Sequence, residues 1–201
     1  CDTYYYGLAV DMGIDNIHNF ISHFGFGKRT GIDIDGERGG LLPSPAWKWK
    51  RFKQKWFTGD TVSVGIGQGY MLATPLQLAV GTATLANNGN QMRPLLVKQI
   101  EDAKSGVAAP RPPEVLSSLP VQPDNMALVS NAMVDVSRPG GTAARAGAGA
   151  PYAIAGKTGT AQVIGMKQGE KYVESRVAER HRDHALFIAY APAEDPKIAV
   201  A

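Results

Sequence analysis

Gly156-Lys157-Thr158-Gly159-Thr160-Ala161-Gln162 is the stretch on which the reading of this chain turns. Ala153-Ile154-Ala155 precedes it and Val163 follows it, so residues 153–163 are expected to form a β-strand. A lysine within such a strand costs free energy unless something uses its charge. The flanking glycines keep side chains off one face, so that another backbone or a ligand can approach. Downstream, His184-Ala-Leu-Phe-Ile-Ala-Tyr190 reads as a second strand, Ala191-Pro-Ala-Glu-Asp-Pro196 as a turn, and residues 197–201 as the start of a third strand. The long polar segment 164–183 joins the first two, which suits an antiparallel arrangement.

Upstream, the pattern is mainly helical. Residues 3–12 are expected to form a helix capped by Asp2 or Thr3, and Asp15 to cap a second over 16–23, stopped by Gly25 and Gly27. Residues 31–42 alternate and then dissolve into glycines, as in a short strand or irregular segment. Ser44-Pro45 is a plausible helix start. Thr74-Pro75 opens the clearest helix, with Thr74 at the N-cap, and Asn88-Gly89 ends it. Residues 92–100 read as a strand, and 101–123, with five prolines, as an exposed connection. Residues 124–136 have helical period, broken by Pro139-Gly140-Gly141-Thr142. Helices followed by a small antiparallel sheet indicate one α+β lobe.

The 201 residues carry 21 Lys+Arg against 18 Asp+Glu, and 44% are hydrophobic, which excludes a disordered polyampholyte. No apolar run approaches the roughly 18 residues needed to cross a bilayer. The single cysteine, Cys1, excludes an internal disulfide framework. The chain opens on Cys1 without an initiator methionine and stops within a strand-like run, so we expect a piece of a longer protein.

Two nucleotide-binding readings fail on spacing. A phosphate loop ending at Gly156-Lys157-Thr158 needs its first glycine at 151, which is Pro151, and needs a helix after it. Gly65-Ile-Gly-Gln-Gly69 is not a dinucleotide fingerprint and reads as a tight turn packed beneath the strand, with Gln68 placed to line a cleft. Four histidines (His18, His23, His181, His184) show no metal-ligand spacing and are read as structural or solvated. Trp47-Lys-Trp-Lys-Arg-Phe-Lys-Gln-Lys-Trp56 holds all three tryptophans and five cations. It reads as a solvated loop with its tryptophans tucked inward, or as a surface for a membrane or an anionic polymer. Nothing else supports nucleic acid.

Lys157-Thr-Gly is also the third signature element of the penicillin-recognising serine acyl-transferases. With the strands after it, with Gly59-Asp-Thr-Val-Ser-Val-Gly-Ile-Gly-Gln-Gly-Tyr70 running into Ala73-Thr-Pro-Leu-Gln-Leu-Ala79, and with Cys1-Asp-Thr-Tyr-Tyr-Tyr6, the whole chain resembles class B penicillin-binding proteins of the elongation-specific kind. The resemblance implies part of a penicillin-binding, serine β-lactamase-like transpeptidase domain, residues 1–201 being its C-terminal part. It implies acyl transfer on D-Ala-D-Ala stem peptides of peptidoglycan, with covalent inhibition by β-lactams. Lys157 would place positive charge near the substrate carboxylate, Thr158 and Thr160 would offer it hydroxyls, the Thr160 N–H would form half of an oxyanion hole, and Gly159 would leave room for substrate backbone. Asp2 would take the S-x-N/S-x-D position, with that motif's serine just before residue 1. No serine is followed by lysine three residues on, so the S-x-x-K nucleophile would lie upstream and this chain alone would be inactive. No cofactor is required on this reading, though Cys1 could contribute to a structural zinc site with ligands outside the chain. The resemblance further implies a membrane polymerase partner and the periplasmic face of an inner membrane, through an anchor elsewhere. A serine β-lactamase or β-lactam sensor, and a catalytically silent peptidoglycan-binding module, remain alternatives.

Overall fold

The computed structural model describes residues 2–164, 173, 175 and 177–201. Helix α1 (Asp2–Met12) and helix α2 (Ile14–Ser22) meet at Gly13, which holds φ 73° and occupies the cap position of α2. The expected caps shift accordingly. Asp2 is the first residue of α1, and Asp15 lies inside the first turn of α2, where its charge still suits the helix dipole. Residues 31–42 are irregular apart from a bridge between Leu41 and Leu72.

Helix α3 (Pro45–Phe52) begins at Ser44, whose hydroxyl accepts from the Trp47 N–H at 3.1 Å. Helix α4 (Thr58–Gly65) packs on α1, with Gly65 against Ala9: a Cβ at residue 65 would lie 2.3 Å from that of Ala9. Ala9, Ile14, Ile17 and Val64 form the core of this helical layer, with Ile21 and Trp56 against it. Helix α5 (Pro75–Ala86) starts at the expected N-cap, Thr74, which forms a capping box with Gln77. The same Gln77 amide, 1% exposed, donates to the carbonyls of Lys28 (2.7 Å) and Gly39 (2.8 Å) and so pins the irregular 28–42 segment on the helix.

The predicted strand over 92–100 is two short ones, β1 (Asn90–Met92) and β2 (Gln99–Glu101), because Pro94 interrupts the ladder. The proline-rich connection supplies their partners, β3 (Ala108–Pro110) pairing with β2 and β4 (Val115–Ser118) with β1. Between β1 and β2, the N–H groups of Leu96 and Val97 donate to the carboxylate of Asp33 (2.7 and 3.1 Å), and Arg111 pairs with it at 2.5 Å. These backbone donors, helped by Arg111, hold the Asp33 carboxyl below its ordinary range.

Helix α6 (Pro123–Ser137) and the short α7 (Ala144–Gly147) lead to the antiparallel sheet β5 (Ala155–Ala161), β6 (His184–Ala191) and β7 (Ile198–Val200), ordered β5-β6-β7. Met133 and Val134 of α6 pack with Ala155 and Tyr190 of the sheet, and the Tyr190 hydroxyl donates to Ser130 Oγ at 2.8 Å. Among the described residues β5 is an edge strand, paired with β6 on one side and backed by α6. Among the described residues no helix is long and apolar enough to cross a membrane.

Candidate active site

Register decides what the open edge of β5 offers. Ala155 faces Tyr190, Lys157 faces Ile188, and Ala161 faces His184. In an antiparallel pair both backbone polar groups of a residue point to one side, and the side alternates along the strand. The Thr160 carbonyl accepts from Gln68 Nε2 at 2.6 Å, and the Gln162 N–H donates to Gln68 Oε1 at 3.3 Å. Residues of this parity, Thr158 and Thr160 among them, thus turn N–H and C=O away from β6 and toward the open edge. Gln68 caps the end of that edge as a neighbouring strand's peptide group would, with one donor and one acceptor.

Gln68 reaches it because Gly67 (φ 75°) and Gly69 (φ 72°) on either side adopt left-handed backbone that other residues rarely take. The glycine cluster is a tight turn, as expected, but it sits at the end of the strand's open edge and not beneath it. Asp2, Tyr6, Ser63, Gln68, Thr160 and Gln162 line a recess of about 350 Å³ at this corner. Asp2, Gln68 and Thr160, singled out separately in the sequence, come together there.

Lys157, Thr158 and Gly159 lie further along β5, outside that recess. Lys157 Nζ folds back to donate to the Thr158 carbonyl at 2.6 Å, which brings its charge to the open edge, and among the described residues no carboxylate pairs with it. Thr158 Oγ1 lies 3.2 Å from Thr142 Oγ1, so the turn that ends α6 borders the strand. The two motif glycines differ. A Cβ at Gly156 would lie 2.7 Å from Phe187 Cζ, so that glycine serves the packing of β6, whereas at Gly159 the nearest atom is Leu186 Cβ at 3.7 Å.

An edge with outward N–H and C=O groups, a nearby ammonium and two threonine hydroxyls can pair with an extended peptide and hold a carboxylate. Sequence reading gave no role to Tyr6, Ser63 or Gln162; only the fold brings them to the corner. Cys1 lies outside the described residues, and so do 165–172, 174 and 176 of the segment joining β5 to β6. Among the described residues no three His, Cys, Asp or Glu side chains cluster as a metal site would need. His18 Nδ1 is bonded to the Pro43 carbonyl at 3.0 Å and His23 Nδ1 to that of Asn19 at 2.8 Å, both structural roles.

The basic–aromatic stretch divides in two. Lys48, expected with the surface cations, is 2% exposed. Its ammonium lies 2.5 Å from Asp60 Oδ2 and 4.6 Å from the Phe57 ring centroid, with Trp56 and Tyr70 beyond. Burial of a cation is tolerable there because the carboxylate and the ring faces replace its water.

Residues 1–201 match the family described as the penicillin binding protein transpeptidase domain. A relative from Acinetobacter baumannii, named peptidoglycan D,D-transpeptidase MrdA, is 44% identical over 202 residues, covering 100% of this chain and 30% of the relative. The chain thus spans less than a third of that protein's length. Among solved structures, Pseudomonas aeruginosa PBP2 in complex with WCK 5153 matches with a TM-score of 0.79 and 44% identity, over 99% of this chain and 41% of the other. PBP2 of Helicobacter pylori, in its complex with MreC, matches with a TM-score of 0.78 and 31% identity, over 99% and 33%. With the motif order, the edge strand and the match over its full length in agreement, this chain belongs to the transpeptidase-domain family of the penicillin-binding proteins.

Proposed function

We propose that this chain is the C-terminal part of the transpeptidase domain of a peptidoglycan D,D-transpeptidase acting in cell elongation. The observation that carries the reading is the open edge of β5, with the Lys157 ammonium turned onto it and Gln68 closing its end. A serine from sequence upstream of Cys1 attacks the D-alanyl-D-alanine carbonyl of a stem peptide. Its oxygen bonds to that carbon, the peptide C–N bond breaks, and D-alanine leaves with a proton. An amine of a neighbouring stem peptide then attacks the ester and releases the serine. The Thr160 N–H, facing the open edge, stabilises the oxyanion. Lys157 attracts the substrate carboxylate, Thr158 and Thr160 bond it, and Gly159 gives the substrate backbone room. Asp2, at the shared recess, orients neighbouring groups through hydrogen bonds. No step runs through a metal.

β-Lactams acylate the same serine. We place the protein at the periplasmic face of the inner membrane, anchored by sequence outside this chain and working beside a membrane glycan polymerase. In the full-length protein, Lys157→Ala should lower both acylation by penicillin and cross-linking of stem peptides by about 10- to 100-fold, because a hydrogen bond to a charged group contributes about 1.5–3 kcal/mol and about 1.4 kcal/mol is tenfold in rate. Unchanged rates in a folded variant would overturn the assignment.

A further inference from the structure

The stretch 44–57 contains no acidic residue, and the nearest one downstream, Asp60, is committed to Lys48. That leaves Lys50, Arg51, Lys53 and Lys55 exposed, with no carboxylate partner for any of them among the described residues. Trp49 (54% exposed), Phe52 (43%) and Phe57 (60%) stand among them. Lys53 ends α3 in a left-handed conformation (φ 58°), its backbone N–H donating to the Trp49 carbonyl. The surface also connects to the site. Phe52 and Trp47 pack on the Tyr70 ring, with centroids 5.6 and 5.2 Å away, and Tyr70 is two residues beyond Gln68.

We propose that this face of α3 and the segment 53–57 is a docking surface for a glycan strand bearing carboxylate-rich stem peptides. The proposal rests on the transpeptidase reading, because that substrate is a polymer extending well past any one scissile bond. Carboxylates along the strand match the uncompensated cations, and the C–H faces of its sugars match exposed aromatic rings, whose electron-rich faces attract polarised hydrogens. A bilayer fits less well. An interfacial helix buries a continuous apolar face, whereas Trp47 of the two-turn α3 is turned inward onto Tyr70 and the exposed rings alternate with cations.

The test uses the full-length protein and purified sacculi in a pelleting assay over a range of salt. Replacing Lys50, Arg51, Lys53 and Lys55 together by glutamine should weaken binding by about tenfold and flatten its salt dependence. Trp49→Ala alone should weaken it several-fold, which keeps the test open if the quadruple variant melts early. Binding equal to the parent's in both variants would overturn the proposal. So would a loss confined to vesicles containing phosphatidylglycerol, or an equal loss on vesicles and sacculi. Penicillin acylation is read separately: a parent that binds sacculi but never acylates would fail the transpeptidase reading, while the variant comparison would still decide the surface.

Discussion

Gln68 is where the geometry makes its sharpest demand. Its amide donates to the Thr160 carbonyl at 2.6 Å and accepts from the Gln162 N–H at 3.3 Å, fixing the end of the edge that supplies the proposed oxyanion donor. Each bond contributes about 1 kcal/mol net. If one or both serve to hold Thr160 for the transition state, Gln68→Ala should slow acylation by roughly 5- to 30-fold, since about 1.4 kcal/mol is tenfold in rate. Gln68→Glu separates bonding from packing. The carboxylate keeps the shape and can still accept from Gln162, but it presents lone pairs to the Thr160 carbonyl in place of a donor. It should therefore be at least as slow as Gln68→Ala. The assay is the second-order rate constant for a fluorescent penicillin on the full-length protein, with thermal melts confirming the fold. A Gln68→Glu variant acylating at the parent rate would refute the reasoning, because only the shape of residue 68 would then matter.

Lys48→Met should destabilise the protein by about 3 kcal/mol in denaturant titration, because it strands the Asp60 carboxylate beside aromatic rings. Among the described residues Asp60 would retain only the Phe57 N–H, at 2.8 Å. Asp33 gives a pH signature. Its pKa is lowered in the folded state by the Leu96 and Val97 N–H groups, so its contribution is present above the ordinary carboxylate range and is lost as pH falls through the lowered value. Melting temperatures between pH 7 and pH 3 should fall further for the parent than for Asp33→Asn; parallel profiles would contradict this.

Local chemistry made much of the fold readable. Thr74-Pro75 and Ser44-Pro45 start helices because a hydroxyl and a ring-locked φ act within one turn. The strands β5, β6 and β7 follow from short apolar runs and a prolyl turn, β5 and β7 with shorter ends than expected and β6 one residue longer. The hairpins were not legible. β2, β3 and β4 are three or four residues long and solvated, so no period marks them, and Asp33, more than sixty positions upstream, ties Leu96 and Val97 before β2 to Arg111 after β3. Within the site, Lys157, Thr158 and Thr160 were visible as a motif and Gln68 as a residue between turn-forming glycines. That Gln68 meets Thr160 across 92 positions, or that Lys48 is buried while Lys50 is not, is tertiary information no spacing encodes.

The most direct test of the central claim is the intact mass of the full-length folded protein after exposure to penicillin, followed by mapping of the labelled peptide. One drug equivalent, held for hours, is expected on a serine N-terminal to Cys1. A demonstrably folded protein that gains no mass, or one labelled on a serine within residues 1–201, would contradict it.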